Sequence, residues 1–493
     1  MSGAVTEPTR VSTVGTAPGI FPFVSHAIAL FRRPLDFLNS LPAQGDLVEL
    51  RLGPQRAWMI CDPQLVHLML MDPHTFDKGG TQYDRLGALM GNGIVTCPQS
   101  EHRRQRTLLQ PGFHPSRIPA YTELMAEEAE ALCREWRAGE KVDVTRAMMA
   151  LTTRVTSRVL FSGSLDAERA AVVRECLAAV VRGLFARTVV PVDAVFRIPT
   201  PANRRYQEAL RRLHALIDTI IAERREAPPR EDLLGTLLAA HDGGGAGNGA
   251  GNGDETGVGV RDGDAAAEGP RRVSDREIHD QLITLLLTGV ETTAMCLASA
   301  FSLLAVNPEA ERALHREVDA VLRDGQAPGQ EELARLEYTR CVVTETLRVC
   351  PPGWLFTRIT TRETELGGHR LPRGAMILYS PYLLHHDPAS FPEPERFLPE
   401  RWLPERETAV RKGAMLPFAA GNRKCIGDRF AMAEAMVGVA TVAAHWRLRP
   451  VSGHDGQPRP AVTLGPRALV MLCEPRQHSR HYRMAGDNGV DDV

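Results

Sequence analysis

The segment at residues 274–306, SDREIHDQLITLLLTGVETTAMCLASAFSLLAV, constrains the fold more than any other part of the 493-residue chain. Ser274 and Glu277 have the spacing of a capping box, which marks the start of a helix, and no proline follows until Pro308. Apolar residues lie on nearly all sides of this helix, and a helix of that kind is buried. The sequence therefore predicts one long helix through the middle of the molecule.

The rest of the chain divides into a helical part, a hairpin and polar segments. Residues 115–240 carry apolar residues three and four positions apart, which predicts helices, whereas residues 46–63 alternate around a Gly-Pro turn, which predicts a β-hairpin. Residues 243–270 are rich in glycine and are expected to form a disordered insertion within one domain. Disordered tails are expected at residues 1–20 and 477–493, which leaves one domain at residues 21–476.

Composition excludes several classes of protein. A net charge of -2 argues against nucleic-acid binding. Nine scattered cysteines without a CxxC pair favour reduced thiols over disulfides or a zinc site. The lack of a signal-peptide pattern, and of a run of ~18 apolar residues, predicts a cytoplasmic protein without a membrane anchor. Only four of the 58 basic residues are lysines, which is typical of a GC-rich bacterial genome.

Polar residues interrupt the centre of the long helix in the sequence TGVETT. One interpretation is structural: Thr292 bonds to the carbonyl four residues earlier, and Glu291 reaches a surface arginine. The other is functional: an acid beside a hydroxyl forms a proton relay that lines an active site. The residues alone leave both interpretations open.

A second polar motif is VVTETLRVCPP, in which Glu345 and Arg348 stand three residues apart on one helix face. Their apolar neighbours favour a buried ion pair rather than an exposed one. A buried pair needs a further hydrogen-bond partner, and Arg396 in the segment PEPERF is the predicted one.

The third motif is LPFAAGNRKCIGDRF around Cys425. Gly421 and Gly427 permit a turn that directs backbone amides at the sulfur, and a helix is predicted to begin at about Asp428. Arg423 adds positive charge. These features predict a thiol with a lowered pKa, which is suited to bind a metal as thiolate.

The three motifs together resemble a known family. Phe418, Gly421, Arg423, Cys425 and Gly427 match FxxGxRxCxG, the haem-binding loop of the cytochrome P450 monooxygenases. The segments TGVETT, ETLR and PERF resemble the other motifs of that family, in the same order, and the resemblance extends from about residue 20 to 475. It implies one cytochrome P450 domain that is mainly α-helical, with a small β-rich lobe near the N-terminus.

The resemblance also implies roles for individual residues. Cys425 would be the axial thiolate ligand of haem b, shielded by Phe418. The residues that match propionate-binding positions are Arg106, Arg358, Arg423 and His102, the last at a position that is often tryptophan in the family. Glu345, Arg348 and Arg396 match a structural triad. Thr288 stands where alanine or glycine is usual.

The substrate pocket is expected between residues 74–97, one face of the long helix and a following turn. The helix and turn positions are Thr284, Leu287, Thr288, Gly353, Trp354, Leu355 and Phe356. This lining is mostly apolar and has no cation to hold a carboxylate. The segments RIPAYTELMAEEAEAL and RIPTPANRRYQEAL resemble actinobacterial relatives that oxidise terpenes. A sesquiterpene-like substrate is therefore expected, with a fatty acid or a polyketide as the alternative.

The predicted function is insertion of one oxygen atom from O2, with Thr292 and Glu291 as the proton relay. Electrons would come from a separate ferredoxin and ferredoxin reductase, and the enzyme is expected to be a monomer. The basic residues predicted to contact the ferredoxin are Arg103, Arg104, Lys424 and Arg429, although a solvated basic face is the alternative. The other functions considered are a haem-thiolate isomerase or dehydratase and a haem carrier or sensor, and the Glu291–Thr292 pair argues against both.

Overall fold

The computed structural model of the protein describes residues 12–19, 25–162, 166–189, 194–230, 232–242, 272–406, 413–451 and 457–476. The expected insertion at 243–270 and the expected tail at 477–493 lie outside the described residues. Helices dominate the described part of the chain, and the strands form small sheets.

Seventeen α-helices occur in the described ranges. They are α1 Ser25–Arg32, α2 Pro34–Ser40, α3 Pro63–Met71, α4 Thr81–Met90, α5 Gln99–Leu109, α6 Ile118–Glu135, α7 Val144–Phe161, α8 Ala167–Val189, α9 Ala194–Arg197, α10 Pro201–Glu226, α11 Leu233–Asp242, α12 Asp275–Val306, α13 Pro308–Val321, α14 Gln330–Arg335, α15 Glu337–Val349, α16 Pro381–His385 and α17 Asp428–His445.

Thirteen strands occur in the same ranges. They are β1 Val14–Thr16, β2 Leu47–Leu52, β3 Gln55–Ile60, β4 Phe76–Asp77, β5 Lys141–Asp143, β6 Phe356–Thr360, β7 Thr364–Leu366, β8 His369–Leu371, β9 Met376–Tyr379, β10 Trp446–Pro450, β11 Arg459–Pro460, β12 Leu464–Gly465 and β13 Val470–Pro475. Two larger sheets have the orders β1-β2-β3-β9-β6-β4 and β10-β13-β5, and two hairpins pair β7 with β8 and β11 with β12.

Helix α12 is the predicted central helix. The Ser274 hydroxyl accepts a hydrogen bond from the Glu277 N–H at 3.2 Å, and the Glu277 carboxylate accepts one from the Ser274 N–H at 2.9 Å, so the capping box is confirmed. The helix contributes to both large apolar clusters, one with α6, α7, α15 and α17 and one with α8, α10 and α11. Its most apolar stretch is long enough to span a membrane, but 83% of that stretch is buried within the protein, as in a core helix.

The β-rich lobe is built on the predicted hairpin. Strands β2 and β3 pair antiparallel, with Leu47 opposite Ile60. Alternate residues pack into two different apolar clusters, for example Val48 into one and Leu47 into the other, so the sheet is covered on both faces. The expected N-terminal tail is wrong in part, because Val14–Thr16 pairs with β2 in parallel. The predicted fold class, mainly α with a small β-rich lobe, is confirmed.

Candidate haem site

The loop before α17 holds the Cys425 side chain at an exposed position, whereas the other eight cysteines are buried or half-buried. The Cys425 N–H donates to the Phe418 carbonyl at 2.9 Å, which closes the loop. Gly421 has a φ of +67°, and a Cβ atom there would lie 2.4 Å from the Leu70 carbonyl oxygen. The loop therefore needs glycine at that position, both for its backbone conformation and for its contact with α3.

The pKa of the Cys425 thiol differs from our prediction. Surrounding protein atoms raise this pKa by desolvation, and the nearby Asp428 carboxylate raises it further. The Gly427 amide, Arg106 and Lys424 act in the opposite direction but do not outweigh desolvation. The prediction of a lowered pKa is therefore wrong for the protein without a metal, and the thiolate needs a directly bound cation to stabilise it.

Two of the predicted propionate-binding arginines are buried. Arg423 is 7% exposed and donates to the Asp77 carboxylate at 2.9 Å and to the Gln99 side chain at 3.0 Å. Arg358 is 3% exposed and donates to the Tyr83 hydroxyl at 3.2 Å. Arg358 therefore has only neutral hydrogen-bond acceptors among the described residues.

Lys78 is a member of the same cluster that the sequence analysis missed. Its ammonium group donates to the Val95 carbonyl at 2.8 Å. Desolvation, and then repulsion from Arg358 and Arg423, lowers the pKa of Lys78 well below its ordinary value. A lysine is rare in this chain, and that rarity is the one sequence signal that could have drawn attention to it.

The remaining two predicted residues lie at the edge of this cluster. His102 is buried, and desolvation with repulsion from Arg423, Lys78 and Arg106 lowers its pKa to about 3, so it is a neutral hydrogen-bonding group at pH 7. Arg106 donates to the Lys424 carbonyl at 2.6 Å and thereby contacts the Cys425 loop.

We call Lys78, Arg358 and Arg423 the cation cluster. Asp77 pairs with Arg423, and the buried Arg358 has no carboxylate acceptor among the described residues, so positive charge is in excess around these two buried arginines and the half-buried Lys78. Buried charges of one sign are costly unless a counter-charge is present. A haem brings two carboxylates and an iron that binds thiolate, so the donor set of the cation cluster and Cys425 fits this group.

Helix α12 exposes three positions in the middle of a buried stretch. From Ile278 to Leu304 every residue is buried except Thr288, Gly289 and Thr292, which are half-exposed. The Thr288 hydroxyl donates to the Thr284 carbonyl, and the Thr292 hydroxyl donates to the Thr288 carbonyl, both at 2.7 Å. The structural interpretation of Thr292 is thus confirmed, and its oxygen still has the capacity to accept a hydrogen bond.

Glu291 and Thr292 have different partners. The buried Glu291 carboxyl accepts a hydrogen bond from the Thr463 hydroxyl at 2.7 Å, so neither a surface arginine nor Thr292 is its partner. Burial raises the pKa of Glu291 to about 7, although the bond from Thr463 opposes the shift. The carboxyl group is therefore a proton donor near neutral pH, and the relay between Glu291 and Thr292 stays a prediction.

Several of the predicted pocket residues are buried against other parts of the protein. Thr284 and Leu287 are buried, and a Cβ atom on Gly93 would lie 2.1 Å from the Thr284 hydroxyl oxygen, so a protein loop covers Thr284. Trp354 packs in an apolar cluster and its N–H donates to the Ala461 carbonyl at 3.1 Å, so its place in the pocket lining stays a prediction.

The turn around Trp354 is tightly packed. The Phe356 ring stacks on Tyr379 at 5.4 Å, and a Cβ atom on Gly353 would lie 2.5 Å from the Phe356 ring. Leu355 is half-buried, and its carbonyl accepts a hydrogen bond from Gln82 at 3.4 Å.

The loop that covers Thr284 is held by two buried residues of α12 that the sequence analysis missed. The Asp280 carboxylate accepts from the Asn92 backbone N–H at 2.8 Å, and the side-chain amide oxygen of Gln281 accepts from the Ile94 backbone N–H at 3.0 Å. These bonds fix residues 92–94 against α12. Their positions in the sequence, inside an apolar helix, gave no indication of the distant partner.

The predicted structural triad has a different third member. Glu345 and Arg348 are fully buried and form two hydrogen bonds of 2.9 Å each. The third side chain is Arg401, which donates to Glu345 at 3.1 Å. The Arg396 side chain is exposed and pairs with Glu393 at 2.7 Å, so Arg396 is wrong as a side-chain partner and contributes only its carbonyl oxygen to Arg348.

Comparisons with known proteins agree with this site. A family model described as Cytochrome P450 matches residues 17–478. The cyclooctat-9-en-7-ol 5-monooxygenase of Streptomyces melanosporofaciens is 46% identical over 470 residues, which cover 95% of this chain and 97% of the relative. The pentalenene oxygenase of Streptomyces avermitilis is 39% identical over 464 residues, which cover 94% of this chain and 96% of the relative. The chain therefore belongs to the cytochrome P450 family.

Proposed function

We propose that this cytochrome P450 is a monooxygenase that inserts one oxygen atom from O2 into a terpene, as part of bacterial secondary metabolism. The observation that carries the proposal is one exposed cysteine in a closed loop together with a buried excess of cations. Membership in the family implies a haem whose iron is bound by a cysteine thiolate, and we propose that the group is haem b and that Cys425 is its ligand.

The residues of the site have separate tasks. The haem, when bound, supplies O2 activation and oxygen transfer to carbon. Cys425 would bind the iron, Phe418 would shield the thiolate, and Arg358 and Arg423 would pair with the two carboxylates. Thr292 offers a hydroxyl at a half-exposed position of α12; the hydroxyl donates to the Thr288 carbonyl, and its oxygen could accept a hydrogen bond from a group bound beside it.

Glu291 is proposed to supply protons to the site indirectly, because its carboxyl group bonds to Thr463 and the Thr292 hydroxyl bonds to the Thr288 carbonyl. Its carboxyl group keeps a proton up to about pH 7 because it is buried. The Thr463 hydroxyl occupies one carboxyl oxygen, so the proton resides on the other oxygen. A carboxyl group of this pKa is suited to general-acid chemistry near neutral pH.

A terpene substrate is supported by the names of the relatives. One relative is named for cyclooctat-9-en-7-ol and another for pentalenene. The α12 face around Thr288 and Thr292 offers hydroxyls and no charge, which fits a hydrocarbon or a terpene alcohol better than a fatty acid. The sesquiterpene-like size of the substrate stays a prediction.

Electrons are proposed to come from a ferredoxin and its reductase. A groove of about 880 Å³ lies beside the Cys425 loop, with Phe418, Arg429 and Met432 in its lining. Arg104 is engaged by Glu277, and Lys424 pairs with Asp428 at 2.5 Å, so these two cations are less available than expected. A cytoplasmic location and a monomeric state stay predictions.

The test is oxygen incorporation and coupling. The purified holoenzyme, with ferredoxin, reductase and terpene hydrocarbons under ¹⁸O2, is expected to give a product that carries one ¹⁸O atom. Thr292→Ala should bind substrate and consume reductant, but release hydrogen peroxide and lose about 10²-fold in product formation, the scale of general-acid effects. Thr288→Ala with Thr292→Ala should uncouple further, and Cys425→Ser is the inactive control. Substrate conversion under strict anaerobiosis would instead support an isomerase.

A further inference from the structure

Helices α8, α9 and α10 enclose a groove that is separate from the haem site. Its volume is about 670 Å³, within the range of ligand pockets. None of its lining residues belongs to the Cys425 loop, to the cation cluster or to α12. We call it the α8–α10 groove.

Arginines dominate the charge of the α8–α10 groove. The lining contains two acids and six exposed arginines, which are Arg182, Arg197, Arg204, Arg205, Arg211 and Arg212. Both acids are already paired, Glu175 with Arg212 at 3.4 Å and Glu208 with Arg211. The other four arginines have no carboxylate partner within the described part of the chain, so positive charge is in excess among the described lining residues.

Apolar side chains lie between these arginines. Ile198 is 55% exposed, and Ala179, Phe196 and Pro199 also line the groove. The wall at Phe196 is firmly held, because the Arg187 guanidinium lies 4.8 Å from the Phe196 ring centroid.

The same guanidinium connects that wall to α10. It lies 3.7 Å from the Tyr206 ring centroid and donates to the Asn203 side chain at 2.9 Å. The apolar surface is therefore supported by Arg187 of α8, which lies between a ring of α9 and a ring of α10, and is a built feature of the groove.

We propose that the α8–α10 groove binds an amphiphile with a phosphate head group and a hydrocarbon tail. Guanidinium groups match phosphate oxygens through paired N–H donors. The four arginines without a carboxylate partner among the described residues carry more positive charge than a ligand with one carboxylate would neutralise. A neutral terpene would leave these arginines without partners, so the groove is not a second site for the proposed substrate. The concave shape of the groove favours binding of one small molecule over contact with a flat surface.

The experiment is a calorimetric titration of the holoenzyme with dodecyl phosphate, with dodecyl maltoside and inorganic phosphate as partial ligands. The parent is expected to bind dodecyl phosphate at least tenfold more tightly than either. Arg182→Ser with Arg205→Ser removes one free arginine from each long wall and should weaken binding at least tenfold. The matched control is Arg370→Ser with Arg373→Ser, exposed arginines at β8 and the turn after it. Equal losses in both double variants, or equal binding of dodecyl maltoside, would overturn the proposal.

A second measurement identifies the source of the phosphate. A membrane lipid head group is indicated if the parent sediments with phosphatidylglycerol vesicles but not with phosphatidylcholine vesicles, and if the groove variant no longer sediments with either. Binding of dodecyl phosphate without sedimentation would indicate a free amphiphile. If neither dodecyl phosphate nor the vesicles bind the parent, the proposal is wrong. The control for folding is the haem spectrum, which should be the same in the parent and in every variant.

Discussion

Two buried groups of arginines in this protein differ in how their charge is balanced. Around Glu345, one carboxylate accepts hydrogen bonds from Arg348, Arg401 and the Trp402 ring N–H, and Arg348 also donates to three carbonyl oxygens. In the cation cluster, Asp77 pairs with Arg423, while Arg358 and Lys78 have neutral acceptors. The first group is complete within the protein, and the second needs an anion from outside.

This difference separates a structural network from a binding site. Both groups contain fully or nearly fully buried arginines, Arg348 in one and Arg358 and Arg423 in the other, so burial by itself does not distinguish them. A buried ion pair with all its hydrogen bonds made holds elements together, whereas buried cations that repel one another are a cost in the absence of ligand. Both arginines of the Glu345 group contact its carboxylate, whereas Arg358 in the cation cluster contacts only neutral acceptors among the described residues. Contact with a carboxylate, rather than burial, therefore distinguishes the two groups.

The largest expected effect is on the complete network. Arg348→Ala leaves the Glu345 carboxylate buried without its main partner, which costs ~3–5 kcal/mol and should leave little soluble holoprotein. Arg396→Ala is the control, because its exposed pair with Glu393 is worth about 0–1 kcal/mol. Soluble haem-containing yield and thermal unfolding measure both. Equal stability of the two variants would show that the Glu345 network is not what holds this region.

A smaller and opposite effect is expected in the cation cluster. Arg358→Gln removes a charge that repels Lys78, so the protein without haem should be as stable as the parent or more stable. The holoprotein should lose haem faster, by about tenfold or more, because one charge-assisted hydrogen bond is worth roughly 1.5–3 kcal/mol. Haem transfer to apomyoglobin gives the rate. Arg362→Gln, an exposed arginine just after the same strand, should change neither quantity.

The family, the fold class and the monooxygenase class were predicted from the sequence and are confirmed. They depend on local patterns, such as the capping box of α12, the hairpin at 46–63 and the FxxGxRxCxG loop, in which the informative residues are neighbours in the chain. Glu345 and Arg348 were also placed correctly, because three residues on one helix face determine their contact.

The errors share a physical cause. Arg396 and Arg401 stand five residues apart in irregular chain, and only the folded backbone decides which side chain turns inward. Lys78 was missed because its partner is the carbonyl of Val95, which lies in a loop. No periodicity in the sequence relates these two residues. The pKa of Cys425 is raised by desolvation, which depends on the folded structure and outweighs the local amide and charges that the sequence displays.

The smallest expected effect concerns Lys78 and pH. Its pKa is depressed in the ligand-free protein by desolvation and by Arg358 and Arg423. Two carboxylates in contact with the cluster would offset that repulsion and raise the pKa again, so haem binding takes up a proton. Affinity for haem should then be full at pH values below the ligand-free pKa, and it should decline as pH rises from there through the pKa of the complex.

Lys78→Met tests this linkage because methionine fills similar space without a charge. The parent should lose haem faster as pH rises above the ligand-free pKa of Lys78, by less than the limit of about tenfold per pH unit for one proton. The variant should show a weaker haem complex at neutral pH and little further change on raising the pH. The rate of haem transfer to apomyoglobin, measured across this range for both proteins, decides the matter. A parallel pH dependence in parent and variant would assign the proton to another group and would leave Arg358 and Arg423 as the cations that compensate the haem carboxylates.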